Sequence, residues 1–233
     1  MTRNTIQNRI NNVLSRIRDA ENQFNREQNS VKLLVVSKTQ TITAIEQAIA
    51  MGLSSFGESY LQDALPKIEH FAGLDKHQAI DWHFIGPIQS NKTAKIAQHF
   101  NWVHSVDRLS IAERLNKQRP NTLSKLNICI QVNIDNATQK SGIAAKDVLQ
   151  FAQQTRMLPN LELRGLMAVP KPSSKFSEQR QAFRALFKLY ETLKQHDFAL
   201  DTLSMGMSSD LTAAIAEGST LVRIGTDIFG LRL

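Results

Sequence analysis

Short apolar runs, each followed by a polar turn and then a stretch with helical spacing, recur along the chain. The runs are Lys32–Val36, Ser54–Gly57, Trp82–Gly86, Trp102–Val106, Leu126–Ile134, Leu161–Val169, Leu203–Met207 and Leu221–Gly225. They are short, largely continuous in their apolar residues and bounded by turn residues, as strands buried on both faces are. Between them, Ala44–Met51 carries Ile45, Ala48 and Ile49 on one helical face. Lys92–Phe100, Ile111–Gln118, Lys146–Met157, Glu178–Gln195 and Leu211–Glu217 show similar spacing. Capping boxes at Thr43-x-x-Glu46, Ser59-x-x-Gln62 and Ser110-x-x-Glu113 mark helix starts. A further helix, Thr5 to Glu27, precedes the first strand. Strands alternating with helices pair in parallel through right-handed crossovers. Eight such units in about 200 residues is the count of a closed (β/α)8 barrel, whereas a doubly wound open sheet normally uses fewer strands. The pattern predicts an α/β fold, a single (β/α)8 TIM barrel domain over 1–233 with an extra N-terminal helix.

Composition narrows the function. Lys and Arg number 28 against 21 Asp and Glu, a net charge of +7. The surplus is densest between Arg3 and Arg26 and between Lys171 and Lys194, on helical stretches without interleaved aromatics. That is the pattern of solvated faces, so the expected partner is not nucleic acid. No apolar run approaches the roughly 18 residues that span a bilayer. The polar amino-terminal segment has no signal-peptide core, and the single cysteine, Cys129, lies in an apolar run where an inert buried thiol is expected. A soluble, cytoplasmic protein is expected, with a monomer as the default state.

In a barrel the chemistry sits where strands end and βα loops begin. Lys38 follows Leu34 and Val36 at even spacing, so all three face one side of the first strand. A lysine at the upper rim, desolvated by apolar walls, becomes a competent amine nucleophile for a carbonyl; most strand-end lysines simply reach water. Arg223 lies within an apolar strand between Val222 and Ile224. A buried guanidinium costs several kcal/mol unless an acceptor or anion meets it, either a structural carboxylate or, more economically, a ligand. Gly225 and Thr226 follow, and the preceding loop supplies Gly206, Ser208 and Ser209 with a helix starting nearby. The loops after strands seven and eight are where barrels commonly bind phosphate, although glycine and serine are also ordinary turn residues. His83 and His104 alternate with apolar neighbours; His104 reads as a core residue and His83, nearer the rim, as a possible ligand contact. No spacing resembles a metal site.

An amine at strand one, an arginine at strand eight and a phosphate cup between strands seven and eight fit pyridoxal phosphate. The segments VVSKT (35–39), FGESY (56–60), HFIGPIQSNK (83–92), HSVDRL (104–109), SMGMSSD (204–210) and VRIGTDIFG (222–230) resemble those of the pyridoxal-phosphate homeostasis proteins. The barrel of that family is similar to the N-terminal domain of alanine racemase. The resemblance runs from about Val31 onward. It implies that Lys38 is the Schiff-base lysine and that Arg223 faces the pyridine nitrogen. It also implies that Ser208, Gly225 and Thr226 form the phosphate cup; Met207, Ser59 and, from its place near the rim, His83 are further candidate cofactor contacts. The family usually reads Phe-Gly-Glu-Asn at strand two, and this chain has Ser59 in place of the asparagine.

What the resemblance implies is a protein that holds pyridoxal 5'-phosphate and buffers or delivers it, with pyridoxal-phosphate-dependent apoenzymes as candidate recipients, no catalytic residue and no metal. The alternative from another class is an amino-acid racemase. A two-base racemase needs a second proton carrier across the cofactor. Alanine racemases take a tyrosine from a separate β-domain, for which the C-terminal Phe229–Leu233 leaves no room. Tyr60, just past strand two, is the one tyrosine expected near the site, Tyr190 belonging to a long helix. A Schiff-base aldolase using Lys38 on a phosphosugar ranks lower.

Overall fold

The apolar runs pair in parallel in chain order, and the last returns to the first. The computed structural model describes residues 5–72, 80–135 and 137–230. Its strands are β1 (Lys32–Val36), β2 (Ser55–Glu58), β3 (Asp81–Phe84), β4 (Trp102–Val106), β5 (Leu126–Gln131), β6 (Leu161–Met167), β7 (Thr202–Ser204) and β8 (Leu221–Ile224). They close into a barrel in the order β1 to β8, with Leu34 of β1 beside Arg223 of β8. The helices are α1 (Ile6–Gln23), α2 (Ile42–Ile49), α3 (Leu61–Ala72), α4 (Thr93–His99), α5 (Leu109–Gln118), α6 (Val148–Arg156), α7 (Phe176–Gln195), α8 (Leu211–Ala216) and α9 (Thr226–Phe229). The expected (β/α)8 architecture is therefore the one observed, and the strands β1 and β4 begin and end where the apolar pattern does.

Four local readings need correction. The cap of α2 is Thr41, whose hydroxyl accepts from the Ala44 amide at 3.2 Å, not Thr43, which lies inside the helix. Ser110 likewise falls inside α5, which is entered from Arg108, and Ser59 stands two residues ahead of α3. Around α2 the segment Thr39-Gln40-Thr41-Ile42-Thr43 offers several hydroxyls, so the motif alone could not choose the turn. Finally, β7 stops at Ser204 rather than Met207, because Gly206 takes a positive φ of 97° and turns the chain out of the sheet.

The extra helix α1 is fastened by an apolar stripe and by a buried carboxylate near its carboxyl end. Ile10, Val13, Ile17 and Ala20 form its buried stripe. Near its end, the buried Glu21 accepts from the backbone amides of Asn29 (3.2 Å) and Val31 (2.8 Å), which fixes the chain entering β1. Its outer flank packs beside α8 and α9, the two helices that follow the strands expected to bind phosphate. Among the described residues no helix is long and apolar enough to cross a membrane, and no cluster of His, Cys, Asp and Glu could hold a metal ion.

Candidate cofactor site

At the carboxyl ends of the strands lies a cavity of about 670 Å³. Lys38, Ser59, Met207, Ser208, Arg223, Gly225 and Thr226 all line it, so seven residues singled out from four separate stretches of sequence converge on one space. Val36, Gln40 and Ile85 add to its walls, and Val169 lies at its edge, 40 % exposed. Lys38 stands two residues past β1. The turn that carries it is set by Ser37, whose amide donates to Gly57 O and whose carbonyl accepts from Gln40, both at 3.0 Å.

Beneath that turn is a buried charge cluster. Glu58, fully buried at the end of β2, accepts at Oε1 from Ser37 Oγ (2.6 Å) and from Lys67 Nζ of α3 (2.9 Å). Lys67 Nζ also donates to Ser37 O at 2.9 Å. Burial raises the Glu58 pKa, while the hydroxyl and the ammonium pull it back down. The cluster clamps Ser37 from both its hydroxyl and its carbonyl, and so holds the backbone immediately before Lys38. Sequence reasoning missed it, although Lys67 shares a helical stripe with Ala64, Ile68 and Phe71, where a lysine needs a partner.

Arg223 forms the floor of the cavity and is 5 % exposed. Its Nη1 donates to Ser204 O (2.6 Å) and Ser204 Oγ (2.7 Å), and its Nη2 to Ala168 O (2.9 Å). A guanidinium has five N–H donors, so Nε–H and one Nη2 hydrogen remain for a ligand. Burial lowers its pKa to about 10, partly offset by the Asp210 charge, which leaves it cationic at neutral pH. The sequence left open whether a carboxylate or a ligand meets this arginine. The acceptors present are three neutral oxygens, which fix the plane of the group without neutralising it.

The loops after β7 and β8 complete the site. A side chain at Gly206 would be strained by its positive φ and would bring a Cβ to 2.6 Å from Ala214 Cβ. A Cβ added at Gly225 would stand 3.1 Å from Val36 O, where β8 closes on β1. The Ser208, Ser209 and Thr226 hydroxyls border the cavity, and the Asp227 amide donates to Ser208 Oγ at 3.4 Å. Asp210, just ahead of α8, accepts from the Met207 amide at 2.6 Å and so holds the loop that carries Ser208 and Ser209. A contribution unseen in the sequence comes from α1. Arg16 pairs with Asp227 and donates to Ser208 O at 2.8 Å, tying the extra helix to both loops. No motif in a single sequence signals this, because Arg16 resembles any surface arginine on an amphipathic helix.

His83 is the exception among the expected site residues. It is 3 % exposed and lines a separate cavity at the amino ends of the strands, with Lys32, Asp81 and Trp102. The register explains the difference: His83 pairs with Trp102, the first residue of β4, so it lies low in the barrel. Its ring stacks on Trp102 at 5.3 Å, and burial drives its pKa down to about 3. Tyr60 is 55 % exposed and does not line the upper cavity, while Tyr190 is buried and donates to Leu200 O at 2.9 Å. Cys129 is fully buried and its thiol pKa is pushed up to about 12 by desolvation, as its apolar neighbours implied.

Residues 10–233 match the family model described as alanine racemase, N-terminal domain. A protein of Pseudomonas aeruginosa named pyridoxal phosphate homeostasis protein is 52% identical over 228 residues, covering 98% of this chain and 96% of its own. The chain belongs to that family. Its namesake in Escherichia coli is 46% identical over 229 residues, with 98% of this chain and 97% of the relative covered. Among solved structures, PipY of Synechococcus elongatus with PLP bound superposes with a TM-score of 0.81 at 33% identity, covering 94% of this chain and 100% of PipY. Alanine racemase of Clostridium difficile reaches a TM-score of 0.75 at 12% identity, with 99% of this chain but 57% of the racemase covered, which shows a common barrel fold. The family's structural likeness thus extends over the whole site-bearing barrel.

Proposed function

We propose that this chain binds pyridoxal 5'-phosphate in the upper cavity and buffers or delivers it, without turning over amino acids at the rate of a dedicated enzyme. One observation carries the reading: a lysine, a buried cationic arginine and three hydroxyls from the β7 and β8 loops face one cavity of sufficient size. The names of the relatives and the PLP held by PipY support the same ligand. When bound, the cofactor supplies an aldehyde carbon open to an amine and an electron-withdrawing ring. Lys38 provides that amine. Ser208, Ser209 and Thr226 donate to the phosphate, and Arg223 presents its remaining donors to the ring nitrogen.

The arginine bears on reactivity. A fixed cation at the ring nitrogen opposes its protonation, so the ring withdraws electrons less strongly than it would beside a carboxylate. No tyrosine among the described residues lines the cavity, which removes the candidate second base Tyr60. The alternative of a two-base racemase is correspondingly disfavoured. Apoenzymes that need the cofactor are the recipients in this reading, and the site works in a monomer. That state is supported by the small number of exposed large apolar residues among the described ones, Leu123 and Met157 among them. A cytoplasmic location suits a protein whose one thiol is buried and whose ligand serves intracellular enzymes. The test is to incubate the loaded protein with L-amino acids in deuterated water and, separately, with an apoenzyme. Transfer of the cofactor without fast α-proton exchange is expected. Rapid exchange that disappears in Lys38→Ala would overturn the reading in favour of an enzyme.

A further inference from the structure

A hydrogen-bond chain crosses the barrel interior below Arg223. Ser204 Oγ, which accepts from Arg223 Nη1, lies 2.8 Å from His104 Nδ1, and His104 Nε2 lies 2.8 Å from His83 Nδ1. The His104–Ser204 contact joins β4 to β7, strands that are not neighbours in the sheet, so the chain runs through the middle of the barrel. His104 and Ser204 are fully buried.

Its polarity is set from one end. Arginine has donors only, so Ser204 Oγ accepts from Arg223 and turns its own hydrogen to His104 Nδ1, since a buried hydroxyl hydrogen without an acceptor is costly. Desolvation keeps both imidazoles neutral. His104 therefore carries its proton on Nε2 and donates to His83 Nδ1. His83 in turn carries its proton on Nε2, which meets no hydrogen-bond partner among the described residues, and His83 lines the lower cavity.

That cavity measures about 190 Å³, room for about six waters at roughly 30 Å³ each. It shares no lining residue with the upper one. Around it stand the first residues of β1, β2, β3, β4, β7 and β8. Lys32 is close enough for its charge to act on His83, Asp81 and Asp201 together. Asp201 is occupied by Arg164 and by the Thr202 hydroxyl at 2.8 Å. A neutral N–H in the floor with an ammonium at the rim asks for an acceptor carrying one negative charge. The two aspartates at the rim oppose every anion in proportion to its charge, so a single negative charge is the most that one ammonium and one N–H can offset there.

We propose that the lower cavity is a second ligand site, for a small monocarboxylate held by His83 Nε2–H and Lys32, and linked by the histidine chain to Arg223. The link to the cofactor rests on the function proposed above; the site itself does not. Acetate is the probe, titrated into the full chain without cofactor against chloride at equal ionic strength, while the imidazole nitrogens are followed by NMR. Saturable displacement of the His83 resonances is expected, with His104 moving in step and the exposed His70 and His196 still. Lys32→Met should weaken binding about tenfold or more, the share of one charge-assisted hydrogen bond, and Lys32→Arg should restore it. The same Lys32→Met protein must keep its wild-type thermal transition, since Lys32 is an exposed residue. A linear response, an equal response in Lys32→Met, or movement confined to the exposed histidines would overturn the proposal. His83 moving while His104 stays fixed would overturn the link. None of these readouts requires the cofactor, so failure of the Lys38 chemistry would leave the outcome distinct.

Discussion

As the pH drops from 7 to 5, His83 should contribute a definite loss of stability. Its folded pKa is about 3 against an ordinary value of 6.5, because desolvation and the nearby Lys32 charge both oppose the imidazolium. The unfolded chain therefore binds more protons than the folded one between those values, and stability rises with pH in that window. The contribution is fully present above about pH 6.5 and is lost progressively as pH falls toward 3. With one pKa unit worth about 1.4 kcal/mol, the shift of His83 costs about 2 kcal/mol between pH 7 and pH 5. Glu58 and Asp81, whose pKa values are raised by burial, act in the opposite sense, so the total change is not diagnostic. The variant His83→Gln isolates the term, since glutamine can still accept from His104 but does not titrate. Urea unfolding of both proteins at each pH gives the four stabilities needed. The pH-induced loss should be smaller in the variant by about 2 kcal/mol. An equal loss in both proteins would refute the assignment of a buried, neutral His83.

Thr226→Val and Ser208→Ala should each weaken pyridoxal phosphate binding by about 1–2 kcal/mol, the worth of a hydrogen bond to a charged group. Pyridoxal without its phosphate should bind both variants as it binds the parent, and equal losses for the two ligands in an absorbance titration would remove these residues from phosphate recognition. Lys67→Met strands Glu58, which then has a single hydroxyl partner, and should cost about 3–5 kcal/mol in denaturant unfolding. Adding Glu58→Gln to that variant should recover part of the loss, and a double variant no more stable than the single one would show that the pair is not coupled.

The barrel was legible in the sequence because parallel strands buried on both faces leave short apolar runs that stand out from amphipathic helices. The upper cavity was legible because the ends of β1, β7 and β8 carry complementary chemistry at the barrel's usual phosphate-binding strands: Lys38, then Gly206 to Ser209, then Arg223 to Thr226. What escaped is whatever depends on pairing register or on residues distant in sequence. His83 sits one residue from the end of β3, yet its pairing with Trp102 carries it to the opposite cavity. Ser204 reads as a plain core serine until His104 and Arg223 are seen on either side of it. Arg16 acquires its role only when α1 is laid against the loops after β7 and β8. Glu58 and Lys67 offered a signal, two charges at positions of apolar stripes, but their meeting under Ser37 required the fold.

The central claim is that Lys38 is the amine that takes up pyridoxal phosphate. The most direct measurement is borohydride reduction of the loaded protein, followed by proteolysis and mass spectrometry of every lysine-containing peptide. The account requires the reduced cofactor on Lys38, and no retained cofactor in Lys38→Ala treated in the same way. A reduced adduct placed on another lysine while Lys38 stays unmodified would contradict it.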